Sequence, residues 1–299
     1  MANNINYAEK YTGELDKMIV QASKTGFFAD NALKAKFSGS KTVYLSELNL
    51  EGMGNYSRTD GYSKGDTSLV HTPYTLTKER SKQLFMDAQD ADESGVADLI
   101  GKLVGEFTRT QVVPEVDAYN LSALYKVAAD TTDGKVSTAV AYDSAKAVEQ
   151  FLSVINSAEA AMEYDGSTSL VAFVDPTLYN LLQTSTELQR HIIVSDFKQG
   201  EINLKVKNLN GCSIIPVASS RMKSEFEFGD TGFTPVEGAK DVRAIVLPKD
   251  SASFVKKVDK VNVLSPDQVE DYDAYKINFR MYYDLIVKNS RKKTIFAIA

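Results

Sequence analysis

The side chains that most often carry catalysis or bind metals are scarce in this 299-residue sequence. The two histidines, His71 and His191, lie in unrelated segments, and Cys212 is the single cysteine. No H-E-x-x-H, paired C-x-x-C, G-x-S-x-G or P-loop motif is present. A metal site or a nucleophilic triad would have to be built almost without His and Cys. We therefore expect no catalytic, cofactor-binding or metal-binding residues, and no enzyme.

The remaining candidate residues favour structural roles. Glu115 and Asp117 are two carboxylates close in sequence, but on a helix they point to different faces, which predicts ion pairs or helix capping rather than acid–base catalysis. Tyr282 and Tyr283 are more typical of packing than of a ligand cage. Cys212 follows a glycine at the start of an apolar run, so we expect a small buried hydrophobic residue.

A second possible site, the segment Gly52-Met53-Gly54, does not fit a nucleotide cradle. The third glycine of G-x-G-x-x-G is absent, and no helical pattern follows.

Composition limits the function classes further. The net charge is −6 and the longest basic run is Arg291-Lys292-Lys293, which argues against a protein that reads nucleic-acid sequence. The single cysteine excludes an internal disulfide framework. No apolar run approaches the roughly 18 residues of a membrane span, and the N-terminus lacks a secretory profile. We expect a product made in a cytoplasm, without a membrane partner.

A long helix is the element around which the other segments must be arranged. One helical face repeats over three turns, formed by Val96, Leu99, Ile100, Leu103, Val104 and Phe107. Side chains suited to a helix N-terminus precede it, namely Asp90, Asp92, Glu93 and Ser94. Pro114 interrupts the pattern, which then resumes with Tyr119, Leu124 and Val127. If the two parts are nearly collinear, the helix has about 40 residues and a length of about 60 Å.

The strongest strand pattern lies near the end of the sequence. Apolar residues alternate with polar ones at every odd position from Tyr275 to Val287. A strand of about 13 residues spans roughly 43 Å, close to the length of the helix. We therefore predict that strand and helix pack lengthwise.

Residues 41–80 have the pattern of a long hairpin. Two alternating segments flank a polar, glycine-rich tip, and a hairpin of this kind cannot bury a core of its own. It would therefore extend into solvent or lie on another subunit. Residues 1–40 are weakly patterned and predict one short helix near Leu15–Ala22 followed by an extended arm, or else a frayed terminus.

Residues 143–248 have the pattern of an α/β insertion. A helix is predicted over residues 143–162 and a buried strand over Ser169–Val174, after which Asp175 caps a short helix that begins at Pro176. Further strands are predicted through Ile214–Val217 and Val242–Leu247. The polar segment 220–241 between them is predicted to be a loop.

Several of these segments together resemble the major capsid protein family of tailed bacteriophages. They are LEGMGNYSRTDGYSKGD (Leu50 to Asp66), YTLTKERSKQLFMDAQDADES (Tyr74 to Ser94), RTQVVPEVDAY (Arg109 to Tyr119) and DAYKINFRMYYDLIVKNSRKK (Asp273 to Lys293). The order of hairpin, long helix, α/β insertion and long strand covers nearly the whole chain beyond residue 40.

The resemblance implies an α+β fold of the Hong Kong ninety-seven capsid type, shared with encapsulin nanocompartments. On this basis residues 1–40 are the N-terminal arm and residues 41–80 the extended hairpin loop. Residues 81–142 and 249–299 form the peripheral domain, with its spine helix and long strand. Residues 143–248 are the axial domain, which gathers around five-fold and six-fold axes.

The resemblance also implies a function and partners. Copies of the chain would form pentamers and hexamers of an icosahedral shell, the virion capsid, assembled in the bacterial host cytoplasm. Expected partners are a separate scaffolding protein, a portal, and packaged double-stranded DNA held without sequence specificity. A Lys–Asn crosslink, known in one branch of the family, would require residues such as Lys64 and Asn289.

Two other functions remain open at the level of sequence. One is the shell of an encapsulin-like bacterial compartment, which would enclose an enzyme instead of a genome. The other is an enzyme or binding module built on the α/β insertion, which the scarcity of His and Cys argues against.

Overall fold

The computed structural model describes residues 18–19, 21–29, 36–38, 42–59, 61–62, 65, 67–87, 96–130, 135–141, 144–162, 169–185, 192–199, 202–209, 211–269 and 273–299. Several residues of the sequence predictions fall outside these ranges. They include Leu15 at the start of the predicted short helix, the crosslinking candidate Lys64, the acidic residues at 90–94, and His191.

Helices and strands alternate irregularly along the described chain. The strands are β1 (Lys36–Ser38), β2 (Thr42–Leu50), β3 (Thr67–Thr75), β4 (Lys78–Asp87), β5 (Val136–Ser137), β6 (Leu170–Val174), β7 (Ile192–Gln199), β8 (Ile202–Leu209), β9 (Cys212–Pro216), β10 (Phe226–Gly229), β11 (Gly232–Pro235), β12 (Ala244–Pro248), β13 (Ala252–Leu264), β14 (Ala274–Val287) and β15 (Phe296–Ile298). The α-helices are α1 (Val96–Phe107), α2 (Val113–Asp130), α3 (Ser144–Ala161) and α4 (Pro176–Thr184). Short 3₁₀ helices cover Gly26–Ala29, Ser219–Arg221, Pro266–Gln268 and Asn289–Thr294.

The predicted long helix is continuous through Pro114. A π-helical turn, Thr108–Val112, joins α1 to α2, and the backbone N–H of Val113 donates to the carbonyl of Thr108. Proline cannot donate to a carbonyl one turn earlier, and the wider turn just before it lets the backbone absorb that missing bond without a break. We call residues 96–130 the spine helix, whose length is about 50 Å at 1.5 Å per residue.

The spine helix is most deeply buried along one row of side chains. Every fourth residue from 104 to 128 is shielded from solvent, namely Val104, Thr108, Val112, Val116, Asn120, Leu124 and Ala128. The apolar members of this row lie in the larger hydrophobic core of the described chain, together with the inner face of β14. Burial of so much apolar surface, rather than helix propensity, holds the helix in place.

The predicted long strand is β14, the central strand of an antiparallel sheet ordered β13-β14-β4. Its odd-numbered residues face the spine helix. The rings of Phe279 and Phe107 lie 5.9 Å apart, and those of Tyr283 and Tyr119 lie 5.3 Å apart, both edge to face. The predicted packing of the strand against the helix is confirmed.

A seven-stranded sheet, ordered β5-β15-β12-β6-β9-β8-β7, forms the second layer. The β6–β9 and β5–β15 pairs are parallel and the others are antiparallel. Helices α3 and α4 pack on one face over a second apolar core that contains Phe151, Ile155 and Leu178. The predicted helix, strand and Asp175 cap are confirmed, and the Asp175 side chain accepts from the N–H of Thr177. Two strands of this sheet, β5 and β15, lie outside residues 143–248, the predicted α/β insertion.

The predicted hairpin is formed by β2 and β3, paired from Thr42–Thr75 at its base to Leu50–Thr67. At the base, Val43 and Leu76 pack into a small cluster with Val255, Tyr282 and Ile286, on the face of β14 that points away from the spine helix. Among the contacts that the structure describes, only the base of the hairpin packs against the rest of the chain.

The predicted extended arm is wrong for residues 23–29. These residues form a turn and a 3₁₀ helix, and Phe27 and Phe28 are completely buried. Both rings pack near Phe173 of β6, with ring centroids 5.9 and 6.1 Å away. Helical backbone at residues 18–19 and 21–22 agrees with the predicted short helix.

The predicted loop at 220–241 is also wrong, because β10 and β11 form a short hairpin there. Each strand has four residues, too few to establish an alternating pattern in the sequence. Its strand ends are joined through Asp230-Thr231, and Gly232 has a φ of 128°, which a residue with a side chain rarely adopts.

Replacement of Phe28 by Ala tests whether the N-terminal segment belongs to the core. We expect a loss of about 3–5 kcal/mol in the free energy of unfolding, the usual cost of emptying a buried aromatic site. Urea unfolding of the unassembled chain, followed by circular dichroism, measures it. The control Met18→Ala, at a side chain 38% exposed, should cost about 1 kcal/mol or less. Equal, small losses in both variants would show that the segment is not part of the folded unit.

Candidate functional site

A salt bridge joins β4 to the middle of the spine helix. The Arg80 guanidinium donates to both carboxylate oxygens of Glu115, Nε to Oε1 at 2.6 Å and Nη2 to Oε2 at 3.1 Å. The buried Tyr283 hydroxyl of β14 donates to the same Oε1 at 3.0 Å. Paired bonds of this kind are among the stronger ones in proteins, so this cluster fixes strand and helix relative to each other.

Arg80 also holds the β10–β11 hairpin. Its Nη2 donates to the carbonyls of Gly229 at 2.9 Å and Gly232 at 3.3 Å. Beside it, the Lys78 ammonium lies 4.4 Å from the ring centre of Phe228. One cation therefore binds the helix and the hairpin at once, while a second packs over the hairpin's aromatic ring.

These contacts shift protonation equilibria in predictable directions. The hydrogen bond to Glu115 raises the pKa of Arg80 above its ordinary value. Burial, and then the negative charge of Glu115, raise the pKa of Tyr283 well above 10. Both groups therefore keep their protons over the whole physiological range and act as permanent donors.

A neighbouring group repeats this arrangement one turn along the helix. The Tyr119 hydroxyl donates to Oδ1 of Asp284 at 2.6 Å, and the N–H of Thr77 donates to Oδ2 at 2.9 Å. Burial raises the pKa of Tyr119, and the bond to Asp284 raises it further. The junction between hairpin and sheet is thus tied to the spine helix as well.

On another side of the spine helix, Asp117 is completely buried and accepts five hydrogen bonds. Three come from the N-terminal segment to Oδ1: Ser23 Oγ at 2.6 Å, and the N–H and hydroxyl of Thr25 at 3.0 and 2.9 Å. The N–H of Lys24 donates to Oδ2 at 3.1 Å, and Nη1 of Arg221 does so at 3.0 Å. Donors in this number offset the cost of burying a carboxylate.

A cavity of about 370 Å³ lies beside the Arg80–Glu115 pair. Its walls come from β4, the spine helix, the β10–β11 turn and β14, and they combine apolar residues, including Phe107, Phe233 and Phe279, with an equal number of polar or charged ones. Arg80 and Glu115 are held in the salt bridge, and the Lys82 ammonium donates to the carbonyl of Asp230 at 3.3 Å.

The groups that could support catalysis are not brought together. Within the described ranges, no group of three or more His, Cys, Asp or Glu side chains could hold a metal ion. His71 lies exposed on β3 of the hairpin. Cys212 is buried, and its burial raises the pKa of the thiol, which makes it a poor nucleophile.

Several candidate residues have the structural roles that the sequence predicts. Glu115 and Asp117 point to different faces and form ion pairs, as predicted, and Cys212, Tyr282 and Tyr283 are buried. The sequence analysis missed Arg80 because the strand that carries it was not recognised. Leu84 and Met86 of β4 pack against the core, but the apolar and exposed Phe85 between them hides the period of two in the sequence.

The hairpin tip exposes large apolar side chains. Met53 is 105% exposed, and Tyr56 and Tyr62 are 65% and 88% exposed. The two tyrosine rings contact each other edge to face at 5.3 Å, and a bridge between Ser57 and Gly61 closes the turn between them. An exposed apolar group of this kind is typical of a surface that another molecule covers.

No helix of the described chain has the length and apolar character needed to cross a membrane.

No family model matches the sequence, and no curated protein matches it. Solved structures do. The mature capsid of bacteriophage PhiM1 is similar with a TM-score of 0.57 and 14% identity, over 87% of this chain and 82% of that one. The capsid of cyanophage P-SCSP1u gives a TM-score of 0.56 and 15% identity, over 88% and 84%. A virus-like particle from Pyrococcus furiosus gives 0.54 and 11%, over 99% and 100%.

At these identities the comparison establishes the fold. The chain has the α+β fold of phage capsid proteins, which confirms the predicted α+β class and the resemblance to phage capsid proteins at the level of the fold.

Replacement of Glu115 by Gln tests the salt bridge. The variant leaves the Arg80 guanidinium without its carboxylate, and we expect a loss of about 2–3 kcal/mol in the free energy of unfolding. The matched control is Glu106→Gln on the same helix, which breaks the exposed Glu106–Arg109 pair and should leave stability close to wild type. Urea unfolding measures both. Equal effects would contradict the assigned role of Glu115.

A pH dependence follows from the buried tyrosine. The unfolded chain releases the Tyr283 proton near pH 10, while the folded chain keeps it. The free energy of unfolding is therefore undiminished below about pH 10 and falls above it, by up to about 1.4 kcal/mol per pH unit for this group. Tyr283→Phe should reduce that slope, measured by urea unfolding across alkaline pH. An identical slope in both proteins would contradict the prediction.

Proposed function

We propose that this chain is a capsid shell protein, and that its copies assemble through pentamers and hexamers into the icosahedral shell of a tailed phage. The observation that carries the proposal is the likeness of its fold to two phage capsid structures over more than four fifths of each chain. The shell would enclose double-stranded DNA and be assembled in the bacterial host cytoplasm, with a separate scaffolding protein and a portal as partners.

The hairpin gives this proposal a physical basis. Its tip buries nothing within the described chain, and it presents Met53, Tyr56 and Tyr62 to the outside. A closed shell repeats the same heterologous contact between copies. A hairpin that packs on a neighbouring subunit would supply such a contact, because each subunit extends its own hairpin and is covered by the hairpin of another copy. Each contact can be modest, because many of them act together.

The body of the chain suits the same role. The spine helix, β14 and β4 are locked together by the clusters of Glu115 and Asp284. We propose that this part is the peripheral domain of residues 81–142 and 249–299. Residues 143–248 would be the axial domain around the five-fold and six-fold axes, residues 41–80 the extended loop, and residues 1–40 the N-terminal arm.

A second candidate is an encapsulin-like shell of a bacterial compartment. The likeness to the virus-like particle from Pyrococcus furiosus, which spans nearly all of both chains, favours it. The two functions differ in content: a compartment encloses protein cargo and a phage shell encloses DNA. Mass spectrometry and nuclease treatment of purified particles separate them.

Electron microscopy of the expressed chain, alone and with a scaffolding partner, tests the proposal. We expect closed shells, tubes, or isolated pentamers and hexamers. The double variant Tyr56→Ser/Tyr62→Ser should lower the number of assemblies at equal concentration by about tenfold or more. An aromatic anchor at an interface contributes about 2 kcal/mol or more. The melting temperature of the unassembled variant should not change, because both rings are exposed.

The control for this experiment is Val236→Ser, which alters an exposed apolar side chain outside the hairpin and should assemble normally. Assembly of the tyrosine variant at the wild-type level would remove the hairpin from the argument. A chain that stays monomeric over a wide concentration range, even with a scaffolding partner, would contradict the proposed function itself.

A further inference from the structure

A cluster of basic side chains lies where β12 ends and where β14 leads into β15. Five cations, Lys249, Lys288, Arg291, Lys292 and Lys293, accompany one carboxylate, Asp250. We call these six residues the basic cluster. Its net charge of +4 contrasts with a chain whose net charge is −6, so the rest of the sequence carries −10. Charge is therefore segregated, and the cluster is a local exception to an acidic protein.

The backbone holds this cluster together. The N–H of Lys288 donates to the carbonyl of Ser251 at 3.0 Å, which places the start of the 3₁₀ helix Asn289–Thr294 beside Asp250. Asp250 Oδ2 then accepts from Arg291 Nη2 at 3.3 Å and lies 3.8 Å from Lys288 Nζ. Thr294 is buried and donates to the carbonyl of Arg291 at 2.8 Å, which fixes the end of the helix.

Two of the cations are left for an external partner. Lys292 and Lys293 are exposed and make no ion pair or hydrogen bond with another side chain in the described part of the protein. Asp250 already serves Lys288 and Arg291, so it does not neutralise them. Lysine presents a compact charge on a long flexible stem, which suits binding to a polyanion at variable geometry.

The surroundings favour a polyanion over a protein surface. The exposed large hydrophobic side chains of the described chain are Met18, Tyr44, Met53, Tyr56, Tyr62, Phe85 and Val236. None belongs to the basic cluster or to β12, β13, β14 or β15, which flank it. A protein–protein interface usually has an apolar core inside a polar rim, whereas binding to a nucleic acid backbone requires little beyond positive charge.

We propose that the basic cluster binds the phosphate groups of a nucleic acid backbone without reading its sequence. This inference rests on the proposed function in one respect, namely that the nucleic acid would be the DNA inside the shell. Each copy contributes a few weak, salt-sensitive contacts, and repetition over the shell multiplies them. The largely acidic remainder of the chain repels the same polymer, which limits binding to this one place on each copy.

The salt dependence of DNA binding tests the inference. The probe is a short fluorescent DNA duplex of random sequence, titrated with the unassembled 299-residue chain while anisotropy is followed at several salt concentrations. The variant is Lys292→Gln/Lys293→Gln. The matched control is Lys146→Gln/Lys240→Gln, which removes the same charge at two exposed lysines outside the cluster.

The expected result is a change in slope. Each lost phosphate contact lowers the slope of log affinity against log salt by about 0.9, so the variant slope should be about 2 units shallower than wild type. Between about 50 and about 200 mM salt, wild type should then lose about tenfold more affinity than the variant. The control should retain the wild-type slope.

Three outcomes would overturn the inference. They are absence of DNA binding by wild type, an unchanged slope in the variant, and an equal change in variant and control. Electron microscopy of the same samples separates this failure from failure of the proposed function. If the variant no longer forms shells while its DNA-binding slope is unchanged, the cluster instead joins copies of the chain.

Discussion

The buried carboxylate of Asp117 is the constraint on which much of the structure depends. An isolated charge at this depth would be very costly, and only donors from other parts of the chain can offset the cost. They come from residues 23–25 and from Arg221, which are 92 to 104 positions away in sequence. The spine helix can therefore bury its middle only when the N-terminal segment and the 3₁₀ helix at 219–221 are in place. The arrangement makes one cooperative unit of three distant segments.

Glu115 applies the same logic in another direction. Two residues along a helix correspond to about 200° of rotation, so its side chain leaves the helix nearly opposite that of Asp117. There it binds Arg80 and Tyr283 and, through Arg80, the β10–β11 hairpin. The pair of carboxylates thus attaches one set of elements to each side of the spine helix. A rigid body of this kind provides a firm base for the β2–β3 hairpin, whose tip side chains Met53, Tyr56 and Tyr62 are exposed.

The sequence was informative where a pattern is long and local. The alternation in β14, the helical face of residues 96–107 and the cap at Asp175 each rest on neighbouring residues, and each was predicted. The opposite directions of Glu115 and Asp117 also followed from helix geometry alone. Their partners could not be predicted, because Arg80 and Arg221 lie 35 and 104 positions away and nothing local selects them.

The failures have physical causes as well. β13 pairs with β14 along its whole length, yet a bulge between Val258 and Lys260 shifts the register and breaks the alternation that would have revealed it. The polar segment 23–25 reads as an exposed arm because its hydroxyls and N–H groups are meaningful only beside the Asp117 carboxylate. The β10–β11 hairpin reads as a loop because each strand has only four residues, too few for a visible repeat. Its aromatic contacts are not local in sequence either: Phe228 packs against Tyr119 of the spine helix, and Phe226 packs against Phe233 across the hairpin.

The π turn at residues 108–112 sets the rotational phase between the two halves of the spine helix. Residues 113–130 are oriented by Glu115 and Asp117, whereas residues 96–107 must turn Val104 and Phe107 towards β14. A π turn holds one residue more than an α turn, and each residue of an α-helix corresponds to about 100° of rotation. Loss of one residue there would leave a continuous α-helix but would swing the entire first half away from the sheet. The π turn therefore allows residues 96–107 to contact β14 while Glu115 and Asp117 keep their own partners. A uniform α-helix could not make both sets of contacts.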